Sequence, residues 1–120
     1  MFNPFARRPE PGRPAAAVVA AVAAGEMTLI DVREAGEIRA SGIAAGAIHI
    51  PLGLIPVKAD PAAPDRPAGL REDRPVALYC ASGARSGRAA QALRQMGYTD
   101  VTNLGGLADW VAAGGQVTAA

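Results

Sequence analysis

The chain has 120 residues, one cysteine, one histidine and a formal net charge of +1 at pH 7. This length suits one domain with a buried core, and the near-neutral charge argues against a nucleic-acid-binding surface. A single cysteine excludes an internal disulfide and fits a reducing compartment. One cysteine with one histidine cannot complete a zinc site. No apolar run is long enough to predict a membrane-spanning helix.

The first 24 residues contain a basic segment followed by an alanine-rich one. Residues 1–14 hold several arginines and prolines and predict a flexible arm. Residues 15–24 predict the first helix of the domain, because their valines recur at helical spacing. An export signal and a membrane-surface helix are the alternatives. The stretch is short, rich in alanine and without bulky anchors, which favours the domain helix and a cytoplasmic location.

Three elements are predicted in the next part of the chain: a strand over 27–32, a short helix over 34–40 and a strand over 48–50. Asp31 and Arg33 come at the carboxyl end of the first strand. In open parallel sheets ligands bind at that edge, which makes both residues candidate supports of a site. A surface ion pair or a turn hydrogen bond explains them equally well.

His49 and the segment after it carry weaker signals. A lone histidine in a strand is usually structural. A cysteine thiolate that backbone amides stabilise needs no histidine as a base, so the single cysteine of the chain gives no reason to assign His49 a catalytic role, and we expect it to be structural. Residues 51–75 contain six prolines and predict a helical turn near 52–55 followed by irregular chain. This segment either flanks a ligand site and helps to select the donor or acceptor molecule that enters it, or is a solvated connector.

The last third of the chain predicts a buried strand over 76–79, a helix over 84–96 and a strand over 101–104. A short helix opened by Gly105–Gly106 follows. The side chains expected to face inward from it are Leu107, Trp110 and Val111. Strands that alternate with helices predict an α/β fold with a central parallel sheet of four to five strands and helices on both faces.

The strongest chemical signal is Cys80, which ends the apolar strand just before the helix. Amides at a helix N-terminus attract anions and favour a thiolate, which makes Cys80 a candidate nucleophile. Small residues let the backbone approach a ligand closely. The alternative is an inert buried cysteine. The residues predicted to bind the substrate are Ala81, Ser82, Gly83, Ala84, Arg85 and Ser86.

Cys80–Ser86 resembles the active-site loop of the rhodanese (sulfurtransferase) family. Three further stretches resemble motifs of that family, in the same order: Leu29–Glu34, Gly46–Leu52, and Asn103–Leu107 with Trp110. The resemblance extends from about Ala15 to Val117. The chain departs from the family at Ile43–Ala44, where relatives commonly have His-Ile.

The resemblance implies a single rhodanese-like domain over residues 15–117. It also implies transfer of a sulfane sulfur from thiosulfate or a related donor to a thiol, or to cyanide in an assay, through a persulfide on Cys80. The partners are then a small sulfur donor and a thiol acceptor, and no metal or organic cofactor is required. Asp31 and Arg33 support the site in this interpretation, and the oligomeric state is left between monomer and weak dimer.

Four residues separate Cys80 from Arg85, whereas cysteine phosphatases have five. The smaller ring suits one sulfur atom better than a phosphoryl group, which disfavours a phosphatase or arsenate reductase. A non-enzymatic rhodanese-like interaction or sulfur-relay module is the other alternative. Many relatives have basic residues in the loop where this chain has Ala81 and Ala84, which predicts modest thiosulfate activity with a high KM.

Overall fold

The computed structural model of the chain describes residues 12–119. The helices are α1 (Ala15–Ala23), α2 (Ala35–Ser41), α3 (Ile55–Lys58), α4 (Ala84–Gln95) and α5 (Leu107–Ala112). The strands are β1 (Thr28–Asp31), β2 (Ile43–Ala44), β3 (Ile48–His49), β4 (Val76–Cys80), β5 (Val101–Gly106) and β6 (Val117–Thr118). Within these residues no helix has the length and apolar character needed to cross a bilayer.

The central sheet has four parallel strands in the order β3-β1-β4-β5, which confirms the predicted fold class. All five residues of β4 are buried, as expected for a strand covered on both faces. Val76, Leu78 and Cys80 face a core shared with α3 and α4. Ala77 and Tyr79 face the opposite core, shared with α1 and α5. The alternation along β4 therefore directs the Cys80 side chain towards α4.

A second sheet, which the sequence pattern did not predict, pairs β2 with β6 in antiparallel orientation. Each of these strands has only two residues and so carries no periodic signal. The pairing occupies Ile43–Ala44, where the chain departs from the family pattern. It also reaches Thr118, one residue beyond the predicted domain end.

The predicted flexible arm over residues 1–14 lies outside the described residues except for its last three. Arg13 contacts the domain: its amide donates to Thr102 Oγ1 (3.0 Å) and its guanidinium pairs with Asp100 (2.8 Å). The predicted first helix is present as α1, and its Val18 is fully buried.

The C-terminal part differs from the prediction at the end of β5 and at Val111. β5 extends to Gly106, beyond the predicted end at residue 104, because it continues its pairing with β4 as far as Cys80. Gly106 is at the same time the N-cap of α5, so the glycine pair does precede and open that helix as predicted. Val111, which was expected to face inward, is 51% exposed. The six-residue α5 buries a narrow face that centres on Trp110, and Val111 lies beside that face.

The proline-rich segment forms a 3-10 turn at Leu52–Leu54 and then α3, but residues 59–75 contain no helix or strand. This stretch is nevertheless held in place, because Leu70 is buried and Thr28 Oγ1 donates to the Gly69 carbonyl (2.5 Å). Thr28 is the first residue of β1. The contact therefore lies at the amino end of the strands, opposite the edge that carries Cys80, and favours the connector interpretation for this part.

Candidate active site

Cys80 is the last residue of β4, and α4 begins four positions later at Ala84. The chain makes this sharp reversal at Gly83, whose φ of 103° lies in the region that favours glycine. Such a turn places the loop amides around the carboxyl end of β4. It also brings the positive end of the α4 dipole to the same point.

The sulfur of Cys80 is enclosed by polar groups of this loop. The Gly83 amide donates to Sγ at 3.0 Å, and the Ser86 hydroxyl lies 3.3 Å from it. The Cys80 side chain is fully buried. A thiol surrounded only by hydrocarbon is inert, whereas the Cys80 sulfur has an amide and a hydroxyl within hydrogen-bonding distance.

The pKa of Cys80 reflects both the burial of its side chain and the hydrogen bonds to its sulfur. Burial raises the pKa of the thiol, because it disfavours the charged form. Hydrogen bonds from the Ser86 hydroxyl and from three loop amides outweigh burial and lower the pKa to about 7. The amides belong to Ser86, Gly83 and Ser82. The loop therefore makes the Cys80 thiol more acidic than a free cysteine and favours the thiolate.

The other predicted substrate-binding residues surround the same loop but differ in accessibility. Ala81, Ser82 and Ala84 are exposed, whereas Ser86 is buried. The small exposed side chains leave the peptide groups of the loop open to a ligand.

Asn103, on β5, joins the loop to the neighbouring strand. Its Nδ2 donates to the Gly83 carbonyl (3.0 Å), and its Oδ1 accepts from the Gly105 amide (3.1 Å). Asn103 Oδ1 also lies 2.7 Å from Ser86 Oγ, so it competes with the Cys80 sulfur for the single hydroxyl proton of Ser86. One side chain thus orients both groups that contact the Cys80 sulfur. The sequence analysis noted Asn103 only as part of a motif, and an amide in a strand gave no sign of this role.

The Cys80 loop packs directly on the glycine pair at the end of β5. A Cβ added to Gly106 would collide with the Ala81 carbonyl oxygen, and one added to Gly83 would lie 3.3 Å from Gly105 Cα. The glycines are therefore needed where two backbone segments meet.

Arg85, which was predicted to bind the substrate, is paired with a carboxylate in the structure. Its Nη1 and Nη2 each donate to a Glu37 carboxylate oxygen at 2.7 Å. Glu37 is fixed in turn by the Glu34 amide at the start of α2 (2.8 Å). Hydrogen bonding to Arg85 and to Glu34 lowers the pKa of Glu37 to about 2 and, through the same pair, raises that of Arg85. No sequence pattern linked these residues.

Asp31 and Arg33 form a buried ion pair (2.9 Å) behind the site. The Tyr79 hydroxyl donates to Asp31 Oδ2 (2.6 Å), and the Arg33 guanidinium lies 5.6 Å from the centre of the Tyr79 ring. Burial disfavours the charged form of Arg33, but hydrogen bonding to Asp31 raises its pKa. Asp31 and Arg33 therefore both contact Tyr79, the residue before Cys80. None of their side-chain hydrogen bonds reaches the Cys80 loop.

His49 lies on the edge strand β3, and β1 separates it from β4. Two strand spacings place it about 10 Å from the line of β4, and its Nε2 contacts the Arg33 carbonyl oxygen at 2.6 Å. This position agrees with a structural role. Among residues 12–119 no group of three or more His, Cys, Asp or Glu side chains is arranged to hold a metal ion.

The strand, the loop and the helix N-terminus together define a cysteine site on a small parallel α/β domain. A family model described as Rhodanese-like domain matches residues 14–113. The match covers most of the sequence, and the chain belongs to this family.

Curated relatives and a solved structure resemble the chain over most of its length. The Bacillus subtilis uncharacterized protein YqhL is 44% identical over 92 residues, which are 76% of this chain and 64% of the relative. The chain thus spans less than two thirds of that protein. An Allochromatium vinosum protein named Sulfurtransferase is 38% identical over 95 residues, 78% of this chain and 80% of the relative. A structure from Rhodopseudomonas palustris, described as a protein of unknown function and possible tyrosine phosphatase, has a TM-score of 0.77 and 29% identity, and the match covers 90% of this chain and 84% of that one.

Proposed function

We propose that the chain is a sulfurtransferase that moves a sulfane sulfur from thiosulfate or a related donor to a thiol through a persulfide on Cys80. The observation that carries the proposal is the hydrogen bonding of Sγ by the Gly83 amide and the Ser86 hydroxyl at the start of α4. The name of the Allochromatium vinosum relative supports the same class of reaction.

The first half-reaction is a displacement at sulfur. The Cys80 thiolate attacks the outer sulfur of thiosulfate, the sulfur–sulfur bond of the donor breaks, and sulfite leaves with the electron pair. Cys80 then carries one additional sulfur as an anionic persulfide. Because Sγ is buried, the loop must admit the outer sulfur of the donor between its peptide groups.

In the second half-reaction an acceptor thiolate attacks the outer sulfur of the persulfide. The bond between the two sulfurs of the enzyme breaks, its electron pair returns to Sγ, and the acceptor leaves as its own persulfide. Cyanide reacts in the same way and leaves as thiocyanate. Every bond broken is replaced by one formed, and the Cys80 thiolate is regenerated without a redox partner.

The loop residues stabilise the negative charge in both steps. The amides that already lie around Sγ are oriented before reaction, so little reorganisation is required when charge moves onto the outer sulfur. Arg85 is bound to Glu37 and acts mainly as a brace between α2 and the loop. Asn103 holds Ser86 and Gly83 in position. The single hydroxyl proton of Ser86 turns from Asn103 Oδ1 to the sulfur when the sulfur carries negative charge.

A cysteine phosphatase is the alternative that the description of the Rhodopseudomonas palustris structure raises. The loop of this chain places four residues between Cys80 and Arg85, and the resulting ring favours a single sulfur atom. No Asp or Glu lies between these two residues to protonate a leaving oxygen. Sulfur transfer is therefore the better supported activity.

Intact-mass measurement after incubation with thiosulfate tests the proposal, with Cys80→Ser as the matched control. The native protein should gain the mass of one sulfur atom, release sulfite, and lose the added mass when a thiol is supplied. The Cys80→Ser protein should gain nothing. A native protein that gains no sulfur but hydrolyses a phosphate ester would overturn the proposal in favour of a phosphatase, and one that does neither would leave an interaction module.

A further inference from the structure

A cavity of about 580 Å³ lies beside the Cys80 loop. It is bounded by loop residues and by exposed side chains of α4, among them Ser82, Gly83, Ala84, Arg88 and Gln91. Gly83 belongs both to the wall of the cavity and to the Cys80 site, because its amide donates the 3.0 Å hydrogen bond to Cys80 Sγ. A molecule bound here therefore lies against the loop that holds the reactive sulfur.

Arg88 supplies the charge of this cavity. It is exposed on α4 and forms no salt bridge with any other residue of the described range 12–119. The lining contains no Asp or Glu side chain. Arg85 is different, since both of its terminal nitrogens are bound to Glu37. An anion that enters the cavity therefore meets the guanidinium of Arg88.

The cavity is larger than the sulfur donor thiosulfate would need, so its volume fits a different and larger ligand. Thiosulfate has only five heavy atoms, whereas cavities of roughly 300–1,000 Å³ are typical sites for small organic molecules. The cavity also has a second polar side chain on α4, Gln91, three positions after Arg88 and on the same side of the helix. An organic anion matches this combination of volume and charge.

We propose that the cavity binds the acceptor, and that the acceptor is an organic thiol carrying a carboxylate. The carboxylate pairs with the Arg88 guanidinium, whose planar fork suits that group, and the Gln91 amide supplies a further hydrogen bond. The thiol end then points towards the Cys80 loop. This inference rests on the proposed sulfur transfer for its chemistry, and on the cavity alone for its binding.

The step is the second half-reaction with a bound acceptor. The acceptor thiol gives its proton to solvent, its thiolate attacks the outer sulfur of the Cys80 persulfide, and the electron pair of the broken bond returns to Sγ. The product is the persulfide of the carboxylate-bearing thiol. Arg88 touches the remote carboxylate and takes no part in bond making.

Two acceptors of equal length test the proposal kinetically: 3-mercaptopropionate, which has the carboxylate, and 3-mercapto-1-propanol, which does not. The variant is Arg88→Gln. Its matched control is Arg39→Gln, which removes the same charge from an exposed helical position outside this cavity. Arg88→Gln should raise the KM for 3-mercaptopropionate about tenfold. It should leave the KM for the alcohol and the rate of persulfide formation from thiosulfate within about twofold. Arg39→Gln should change none of these.

A binding measurement keeps the inference separate from the activity. The unreactive thioether 3-(methylthio)propionate is titrated into the native protein while the backbone amide resonances are followed by NMR. Saturable shifts at Gly83, Arg88 and Gln91 are expected. They should be absent with 3-(methylthio)-1-propanol and in Arg88→Gln.

The outcomes distinguish the two proposals. Saturable binding without any persulfide on Cys80 would remove the proposed function and leave the carboxylate site standing. Persulfide formation with equal KM changes for both acceptors, or with a change only in the KM for thiosulfate, would overturn the carboxylate site and leave sulfur transfer standing. No saturable shift with the carboxylate probe would also overturn the site.

Discussion

Arg85 and Glu37, 48 positions apart in the chain, form a two-pronged ion pair with both nitrogen–oxygen distances at 2.7 Å. The pair ties the first turn of α4 to the first turn of α2. A cation in the first turn of a helix is unfavourable by itself, and the carboxylate offsets that cost. The geometry of the Cys80 loop thus depends on a residue from a different part of the sequence.

This pair should contribute to stability in a pH-dependent way. A double-mutant cycle of Glu37→Gln and Arg85→Gln should give a coupling of about 0.5–1 kcal/mol at pH 7, modest because both side chains are partly exposed. The pKa of Glu37 falls from 4.5 to about 2 on folding. The native carboxylate therefore binds its proton less readily than the unfolded one, and the coupling should be complete above pH 4.5 and disappear as the pH falls towards 2. Urea unfolding at a series of pH values measures it, and a coupling that does not change with pH would contradict the assignment.

The ionisation of Cys80 should depend on the Ser86 hydroxyl. In the native protein the rate of alkylation by iodoacetamide should rise with a midpoint near pH 7 and level off above it. Ser86→Ala removes one hydrogen bond to the thiolate, so the midpoint should move to higher pH and the rate at pH 7 should fall about fivefold.

Ser82→Ala serves as the comparison for this measurement. Ser82 contributes its amide and not its hydroxyl to the sulfur, so the alkylation midpoint should stay where it is in the native protein. A midpoint that is the same in the native protein and in Ser86→Ala would show that the hydroxyl does not hold the thiolate.

Gly106 should be essential for the position of the Cys80 loop. In Gly106→Ala the new Cβ collides with the Ala81 carbonyl oxygen, which is backbone and cannot rotate away. We expect a loss of stability of about 1–3 kcal/mol and a fall in the rate of persulfide formation on the order of tenfold or more.

Gly53→Ala is the matched control, because nothing lies within 4 Å of the position where its Cβ would be. Thermal unfolding and the rate of sulfite release from thiosulfate measure both variants. If Gly106→Ala behaves like Gly53→Ala, the loop does not require this close approach.

The loop should bind thiosulfate weakly because its charge is balanced. Arg85 is paired with Glu37, and Ala81 and Ala84 are exposed neutral residues of the loop. Ala84→Lys should lower the KM for thiosulfate by roughly threefold or more at low salt, and the gain should shrink at high ionic strength. Steady-state kinetics at two salt concentrations, with Ala84→Gln for comparison, measure the effect. A native KM as low as that of relatives with a basic loop would show that the weak-binding argument is wrong.

Most of the fold could be predicted from local patterns. The apolar run at Val76–Tyr79 predicts a buried strand, and the small residues after Cys80 predict a tight turn into a helix. Both predictions depend only on neighbouring residues, and both elements are present in the structure as β4 and α4. The prediction failed at Val111, which is exposed, and it ended β5 two residues too early, because these outcomes depend on which helix face or strand lies alongside.

Local sequence patterns are enough to place one cysteine between a buried strand and a helix N-terminus, because strand, turn and helix propensities act over a few residues. The partners of that loop become visible only in the folded domain: Glu37 for Arg85, Asn103 for Ser86 and Gly83, and Gly106 for Ala81. Hydrogen bonds and steric contacts between distant segments depend on how the sheet and helices pack, and no local pattern encodes those distances.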